Sequence, residues 1–143
     1  MKAVLAQPKD YPTIMTIWQA SVAATHDFVR REDLAEIEKE LPKYLPHLRV
    51  ELWYSEEDEL VGFSGMQDRQ LEMRFLVTEK CHQGYGSEIL KQLTKKYDLK
   101  TTDVNKANKP ALKFYLKNGF QIVGESLLDG EGRPYPLFHL AKR

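Results

Sequence analysis

The residues from Thr78 to Leu90 carry the spacing most readily turned to chemistry. Two glycines one residue apart, Gly84 and Gly86, lie between an apolar strand-like run, Gln70 to Val77, and a helical pattern. That pattern sets Ile89, Leu90, Leu93 and Tyr97 on one face. The first N–H groups of a helix have no partners within it, and its macrodipole favours negative charge there. Glycine lets a phosphate approach the backbone, so strand, glycine loop and helix together predict an anion site. The alternative is that Gly84 and Gly86 only shape a turn. Other reactive side chains are scattered. Glu72 and Asp68 lie on or beside the strand, His26 and Asp27 follow the first helix, and Cys81 precedes the glycines. Cys81 reads as an ordinary thiol, with no His–Asp arrangement around it. His47 and His139 have no partners at metal-ligand spacing and read as structural, so no metal site is expected.

The elements that must position these groups follow from periodicity and breakers. Lys2 to Gln7 reads as a strand, and Asp10 as the cap of a helix carrying Ile14, Ile17, Trp18, Ser21 and Val22 on one stripe. Arg31 to Leu41 is a second amphipathic helix, stopped by Pro42 and Pro46, with a strongly acidic outer face. Such a face is either solvated or attractive to a cationic substrate. Three strands follow, Arg49 to Ser55, Leu60 to Met66 and Gln70 to Val77. The short polar turns between them imply an antiparallel meander. After the glycine-loop helix come a strand Lys100 to Val104, a helix Pro110 to Lys117, a strand Phe120 to Leu127 and a strand Tyr135 to Leu140. The expected class is mixed α/β (α+β), with helices on both faces of a largely antiparallel sheet.

Bulk properties narrow the function classes. The 143 residues predict one domain, 1–143, large enough for a real core. With 21 basic and 21 acidic side chains the formal charge is zero, so no nucleic-acid surface is advertised. A single cysteine excludes an internal disulfide and fits a reducing compartment. No segment reads as a signal peptide or a bilayer span, so a cytoplasmic protein without a membrane partner is expected.

A second stretch, Asn105 to Phe120, is locally well explained. Asn108 suits a helix cap, Pro110 its first turn, and Gly119 the left-handed residue after its last. Ala111, Phe114 and Tyr115 share a face, which makes Tyr115 a plausible core residue.

Taken together, Phe75-Leu76-Val77, the loop to Gly84-x-Gly86, and Asn105-x-x-Asn108-x-x-Ala111-x-x-Phe114-Tyr115-x-x-x-Gly119-Phe120 resemble a GNAT-superfamily N-acetyltransferase. Ser21-Val22-x-Ala24-Thr25-His26-Asp27-Phe28 and Gly132-Arg133-Pro134-Tyr135-Pro136 further resemble the bacterial YjaB-like branch, which acts on lysine side chains. The resemblance spans essentially the whole chain. It implies a central sheet whose strands splay, with acetyl-CoA in the V between them. Its cofactor-binding residues would be Phe75, Leu76, Val77, Cys81, His82, Gln83, Gly84, Tyr85, Gly86, Ser87, Asn108 and Tyr115. Tyr115 stands where the superfamily places the general acid, and Glu72 near where many members place a base. His26, Asp27 and Phe28 would border the acceptor pocket. The partners implied are acetyl-CoA and an amine acceptor, either a protein lysine or a small amine, in a monomer or homodimer.

Three positions depart from the family pattern, among them His82, where a Gly is common. Cys81 replaces an Arg or Gln, which should weaken phosphate affinity without touching the backbone donors. Lys80 and His82 are candidates to compensate. Arg74 replaces a leucine on the central strand. The alternative function is a non-catalytic acyl-CoA-binding module, which would have no need of the Tyr115 phenol.

Overall fold

The computed structural model describes residues 1–25 and 27–143. Its elements follow the expected order. These are β1 (Lys2–Leu5), α1 (Tyr11–Thr25), α2 (Arg31–Tyr44), β2 (Arg49–Tyr54), β3 (Leu60–Gln67), β4 (Gln70–Leu76), α3 (Tyr85–Tyr97), β5 (Thr101–Asn105), α4 (Lys109–Lys117), β6 (Phe120–Ser126) and β7 (Leu137–Lys142).

Several boundaries shift by one to three residues from expectation, and two of the shifts have evident causes. Helix α2 runs through Pro42 to Tyr44 instead of stopping at Leu41. Pro42 removes one N–H but lies in the last turn, where Leu41 and then Leu45 remain buried against the sheet. The last strand is displaced toward the C-terminus because Tyr135 and Pro136 are used before it begins. Asp10 closes a short 3-10 turn (Pro8–Asp10) ahead of α1, its carboxylate accepting from Gln7 N–H at 2.9 Å.

The strands form one sheet in the order β1-β2-β3-β4-β5-β7-β6. Every neighbouring pair is antiparallel except β4 and β5. These two are parallel and pair only through Gln70 with Thr101 and Leu71 with Thr102. Beyond that point β4 and β5 part, leaving a V whose arms are residues 72–76 and 103–105.

Apolar side chains fix which helices lie on which face. Leu71, Val104, Leu140 and Phe120 pack with Ile89, Leu90 and Leu93 of α3 and Tyr115 of α4. Met73, Phe75 and Val77 pack on the other side against Ile14, Ile17 and Trp18 of α1 and Leu41 of α2. The V therefore opens toward α3 and α4 on one face and toward α1 and α2 on the other.

One irregularity lies at its apex. Gly65 opposes Met73 and Met66 opposes Leu71, so Glu72 has no partner on β3 and forms a bulge. An extra residue of this kind re-aims side chains and increases local twist.

Candidate active site

The anion-binding part is built first, because it depends least on side chains. Val77 leads into a 3-10 turn (Thr78–Lys80), after which His82 takes φ +62° and Gly84 φ +88°. These left-handed residues fold the chain back so that α3 starts at Tyr85, pointing its N-terminus at the V. Among the described residues no side chain caps α3, so its leading N–H groups are open to an anion. Gly84 has nothing within 4 Å of where a Cβ would stand, which leaves that approach clear. Gly86 is the opposite case. A Cβ there would come 3.0 Å from Arg74 Nη1 and 3.1 Å from Phe114 Cζ, so a larger residue would push those two side chains aside where α3, β4 and α4 meet. An uncapped helix start, an open glycine and a close-packed one together fit the pyrophosphate of an acyl-CoA.

The side chains of the loop are mostly committed elsewhere. Cys81 is half-buried, its Sγ 3.7 Å from the Val77 carbonyl oxygen. Gln83 turns back, donating to the Glu79 carbonyl at 2.7 Å. Lys80 holds Glu59 at 2.8 Å, and that carboxylate raises the Lys80 pKa. A cation beside the α3 N-terminus comes instead from Arg74, whose guanidinium lies 4.2 Å over the Phe114 ring.

Tyr115 faces the V from α4. Its ring is 7% exposed and meets Phe114 and Phe120 edge-on at 5.2 and 5.4 Å, while its Oη lies 3.5 Å from Arg74 Nε. Asn108 begins the same helix, its Oδ1 accepting from Ala111 N–H at 3.2 Å. On β4, Val77 N–H donates to the Val61 carbonyl at 2.8 Å. Antiparallel pairing alternates, so the backbone groups of Leu76 and Arg74 point away from β3, into the V. The Leu76 carbonyl indeed accepts from Ser21 Oγ at 3.2 Å rather than from β3. The donor that can meet an oxyanion on β4 is thus Leu76 N–H, since Val77 N–H is already spent on Val61.

The opposite mouth of the V is acidic. Glu72 stands beside Asp103; burial first, and that neighbouring charge second, push its carboxyl above the usual range. Tyr44 on α2 is pushed up as well, by burial and then by Glu72 and Glu131. A network encloses this side. The Tyr135 hydroxyl donates to the buried Asp33 carboxylate and accepts from Arg30 N–H at 3.0 Å, while Arg133 lies 3.3 Å from Glu36. It ties the first turn of α2 to the chain entering β7. Of the expected acceptor residues, Asp27 is exposed and Phe28 partly buried in the α1–α2 connection, and His26 lies outside the described residues.

Sequence spacing missed Asp33, the roles of Arg74 and Tyr135, and the partners of His139, which is 2.6 Å from both Asp103 and Ser126. For Arg74 a signal existed, since a cation stands where the family pattern has a leucine. Among the described residues no group of three or more His, Cys, Asp or Glu side chains is placed to hold a metal, and no helix is long and apolar enough to cross a membrane.

A parallel pair that splays beside an uncapped glycine-loop helix, with a tyrosine on the next helix facing the gap, defines the GNAT architecture. Comparison with known proteins agrees. The family model described as an acetyltransferase (GNAT) domain matches residues 49–122. The peptidyl-lysine N-acetyltransferase YjaB of Salmonella typhimurium strain LT2 is 34% identical over 127 residues, covering 89% of this chain and 88% of that protein. The solution structure of apo-form YjaB from Escherichia coli superposes with a TM-score of 0.89 at 30% identity, over 99% of this chain and 96% of that one. A spermidine N-acetyltransferase SpeG variant from Vibrio cholerae shares the fold, with a TM-score of 0.69 at 14% identity.

The chain belongs to the GNAT acetyltransferase family. It is an N-acetyltransferase, and its cosubstrate is acetyl-CoA.

Proposed function

We propose that this enzyme transfers an acetyl group to the ε-amine of a protein lysine by direct attack, with Tyr115 as general acid and Glu72 as base. The observation that carries the reading is the placement of Tyr115 and Glu72 at opposite mouths of one V. The lysine acceptor is supported by the similarity to peptidyl-lysine acetyltransferases, and by an acceptor mouth lined with Glu72 and Glu131. The cofactor site comprises the α3 N-terminus from Cys81 to Ser87, with Phe75, Leu76 and Val77 of the central arm and Asn108 and Tyr115 beyond it.

The bound cosubstrate supplies an acyl thioester with a thiolate leaving group. The protein must do the rest. A lysine amine with a pKa of about 10.4 is nucleophilic in only about one molecule in a few thousand at neutral pH. A carboxylate of raised pKa at the acceptor mouth takes that proton more readily than an ordinary one. Leu76 N–H, aimed into the V, holds the carbonyl oxygen as charge builds on it. Tyr115 donates its hydroxyl proton to the departing sulfur, whose conjugate thiol resembles a cysteine at pKa about 8.5. The direct route needs no acyl-enzyme, so Cys81 has no covalent part. Asp27 and Phe28 form the acceptor's outer contacts.

The test is thiol release from acetyl-CoA with lysine peptides, with the product mapped by mass spectrometry. Acetylation at the ε-nitrogen is expected. Turnover of free polyamines with none of lysine peptides would move the acceptor to small amines. Failure to bind acetyl-CoA in calorimetry would overturn the reading altogether.

A further inference from the structure

Three polar side chains on the acceptor side form a hydrogen-bonded line that the mechanism above leaves unused. His139 Nδ1 on β7 lies 2.6 Å from Asp103 Oδ1 on β5, and its Nε2 lies 2.6 Å from Ser126 Oγ on β6. An ionised carboxylate only accepts, so Nδ1 carries the hydrogen, and the Nε2 of a neutral ring accepts from the Ser126 hydroxyl. Both ring nitrogens are then committed, which fixes the ring and, through it, Oδ1 of Asp103. The other oxygen, Oδ2, has Gln70 Nε2 at 3.5 Å, near the limit for a hydrogen bond.

Register shows where that oxygen is held. Thr102 is the last residue of β5 paired with β4, opposite Leu71, so Asp103 and Glu72 are the first residues after the strands part. Thr102, Val104 and Leu140 are buried on the α3–α4 side. Alternation therefore turns Asp103 and His139 to the acceptor face, away from Tyr115. The bulge at Glu72 brings a second carboxylate to the same place from the other arm. Tyr44 from α2 stands near Glu72, and Glu131 from the β6–β7 connection stands near Tyr44.

We infer that Asp103 is the carboxylate that binds the acceptor ammonium, and that His139, braced by Ser126, is the positioning residue that aims it. The inference rests on the amine-acceptor reading and adds the residues that recognise the amine. The ligand is a primary ammonium, held by one carboxylate from each arm of the V. One proton passes from the ammonium nitrogen to the Glu72 carboxylate, giving a neutral amine and a neutral acid, and no other bond changes. Asp103 stays ionised and holds the amine by an N–H donor while the lone pair faces the thioester. A carboxylate free to swing would serve poorly. The imidazole removes that freedom before the amine arrives.

The experiment uses Nα-acetyl-lysine amide as probe and the full chain as it stands. First, the probe is titrated into CoA-bound protein while the His139 ring resonances are followed by NMR. A saturable shift is expected in the wild type and none in D103N. Second, steady-state turnover is measured for D103N, H139N and H139L. Loss of one charge-assisted bond should raise the KM for the amine roughly tenfold or more in D103N. H139L should approach that loss, while H139N, which keeps an N–H donor near Nδ1, stays near the wild type. The KM for acetyl-CoA should be unchanged in all three, which also verifies folding. A silent His139 ring in the wild type, or an unchanged amine KM in D103N and H139L, overturns the inference. A ring that responds to the probe in a protein that acetylates no lysine would leave Asp103 in place and remove the lysine reading instead.

Discussion

Arg74 Nε stands 3.5 Å from Tyr115 Oη, joining the central strand to α4 across the V. The same guanidinium is stacked on Phe114 and reaches Gly86 at the start of α3. A phenol oxygen that accepts from a cation keeps its own hydrogen to donate, and the phenolate left after donation is stabilised. Arg74 thus connects the acid of the proposed reaction to the anion-binding helix.

Replacing Tyr115 by Phe removes the donor but keeps the ring contacts with Phe114 and Phe120. The turnover number should fall by about 10²- to 10⁴-fold, the usual worth of general acid assistance. Acetyl-CoA affinity and Tm should hardly move. Thiol-release kinetics beside a calorimetric Kd separate these effects, and undiminished turnover would remove Tyr115 from the mechanism.

Arg74→Leu restores the apolar residue expected on that strand and takes away the cation near α3. Acetyl-CoA binding should weaken by roughly tenfold, in line with one lost charge-assisted contact. Its dependence on salt should flatten as well. Lysine at the same position should recover less than half of the lost binding energy, because it cannot stack flat on Phe114. Calorimetry at two ionic strengths decides this. Equal affinity in Arg74→Leu and wild type would show that the backbone of α3 suffices.

How much of this was legible follows from how local each feature is. The element order was readable because each helix or strand writes its own period, and the turns between β2, β3 and β4 are short and polar. The Asn108 cap and the left-handed Gly119 were readable for the same reason, since both act within a few residues. The bulge at Glu72 was not, because it exists only in the register between two strands. His139 reads as isolated along the chain, yet its partners lie 36 and 13 residues away and meet it only when β5, β7 and β6 align. The pairing of Asp33 with Tyr135, 102 residues apart, was hidden behind a helix face that reads as merely solvated. Arg74 was visible as an anomaly, but its meaning required Phe114 and Gly86 beside it.

Glu72 sets opposite demands on activity and stability. Its carboxyl is raised by burial and by Asp103, so the folded protein binds that proton more tightly than the unfolded chain does. Stability is therefore lost as pH rises from about 4.3, the unfolded value, through the raised folded value. Glu72→Gln should raise Tm at pH 7, and the gain should vanish below about pH 4. In the same variant kcat/KM for the amine should fall, and the acid limb of the pH profile, set above the ordinary carboxylate range in the wild type, should disappear. Thermal melts and initial rates between pH 4 and 8 test both. A destabilised Glu72→Gln protein would show that the carboxylate is held by contacts stronger than its burial.

The clamp between α2 and the entry to β7 predicts the reverse sign. The Asp33 carboxyl lies below its usual range, chiefly through the hydrogen bond from Tyr135. Burial opposes this, and Arg30 and Arg133 reinforce it. A depressed carboxyl stabilises the fold above its unfolded pKa of about 3.9, and that contribution is lost as pH falls through the lower folded value. Tyr135→Phe removes the leading cause and also leaves Arg30 N–H without its acceptor. Its Tm should lie below the wild type from pH 5 to 8, and the difference should narrow on acidification below about pH 4 as Asp33 protonates, leaving only the part due to Arg30 N–H. Because the clamp walls the acceptor mouth and not the α3 side, the amine KM should rise while acetyl-CoA affinity stays constant. A Tm difference that persists unchanged at pH 3 would assign the effect to the lost acceptor of Arg30 N–H rather than to Asp33, and an altered acetyl-CoA Kd would show that the two mouths of the V are mechanically coupled.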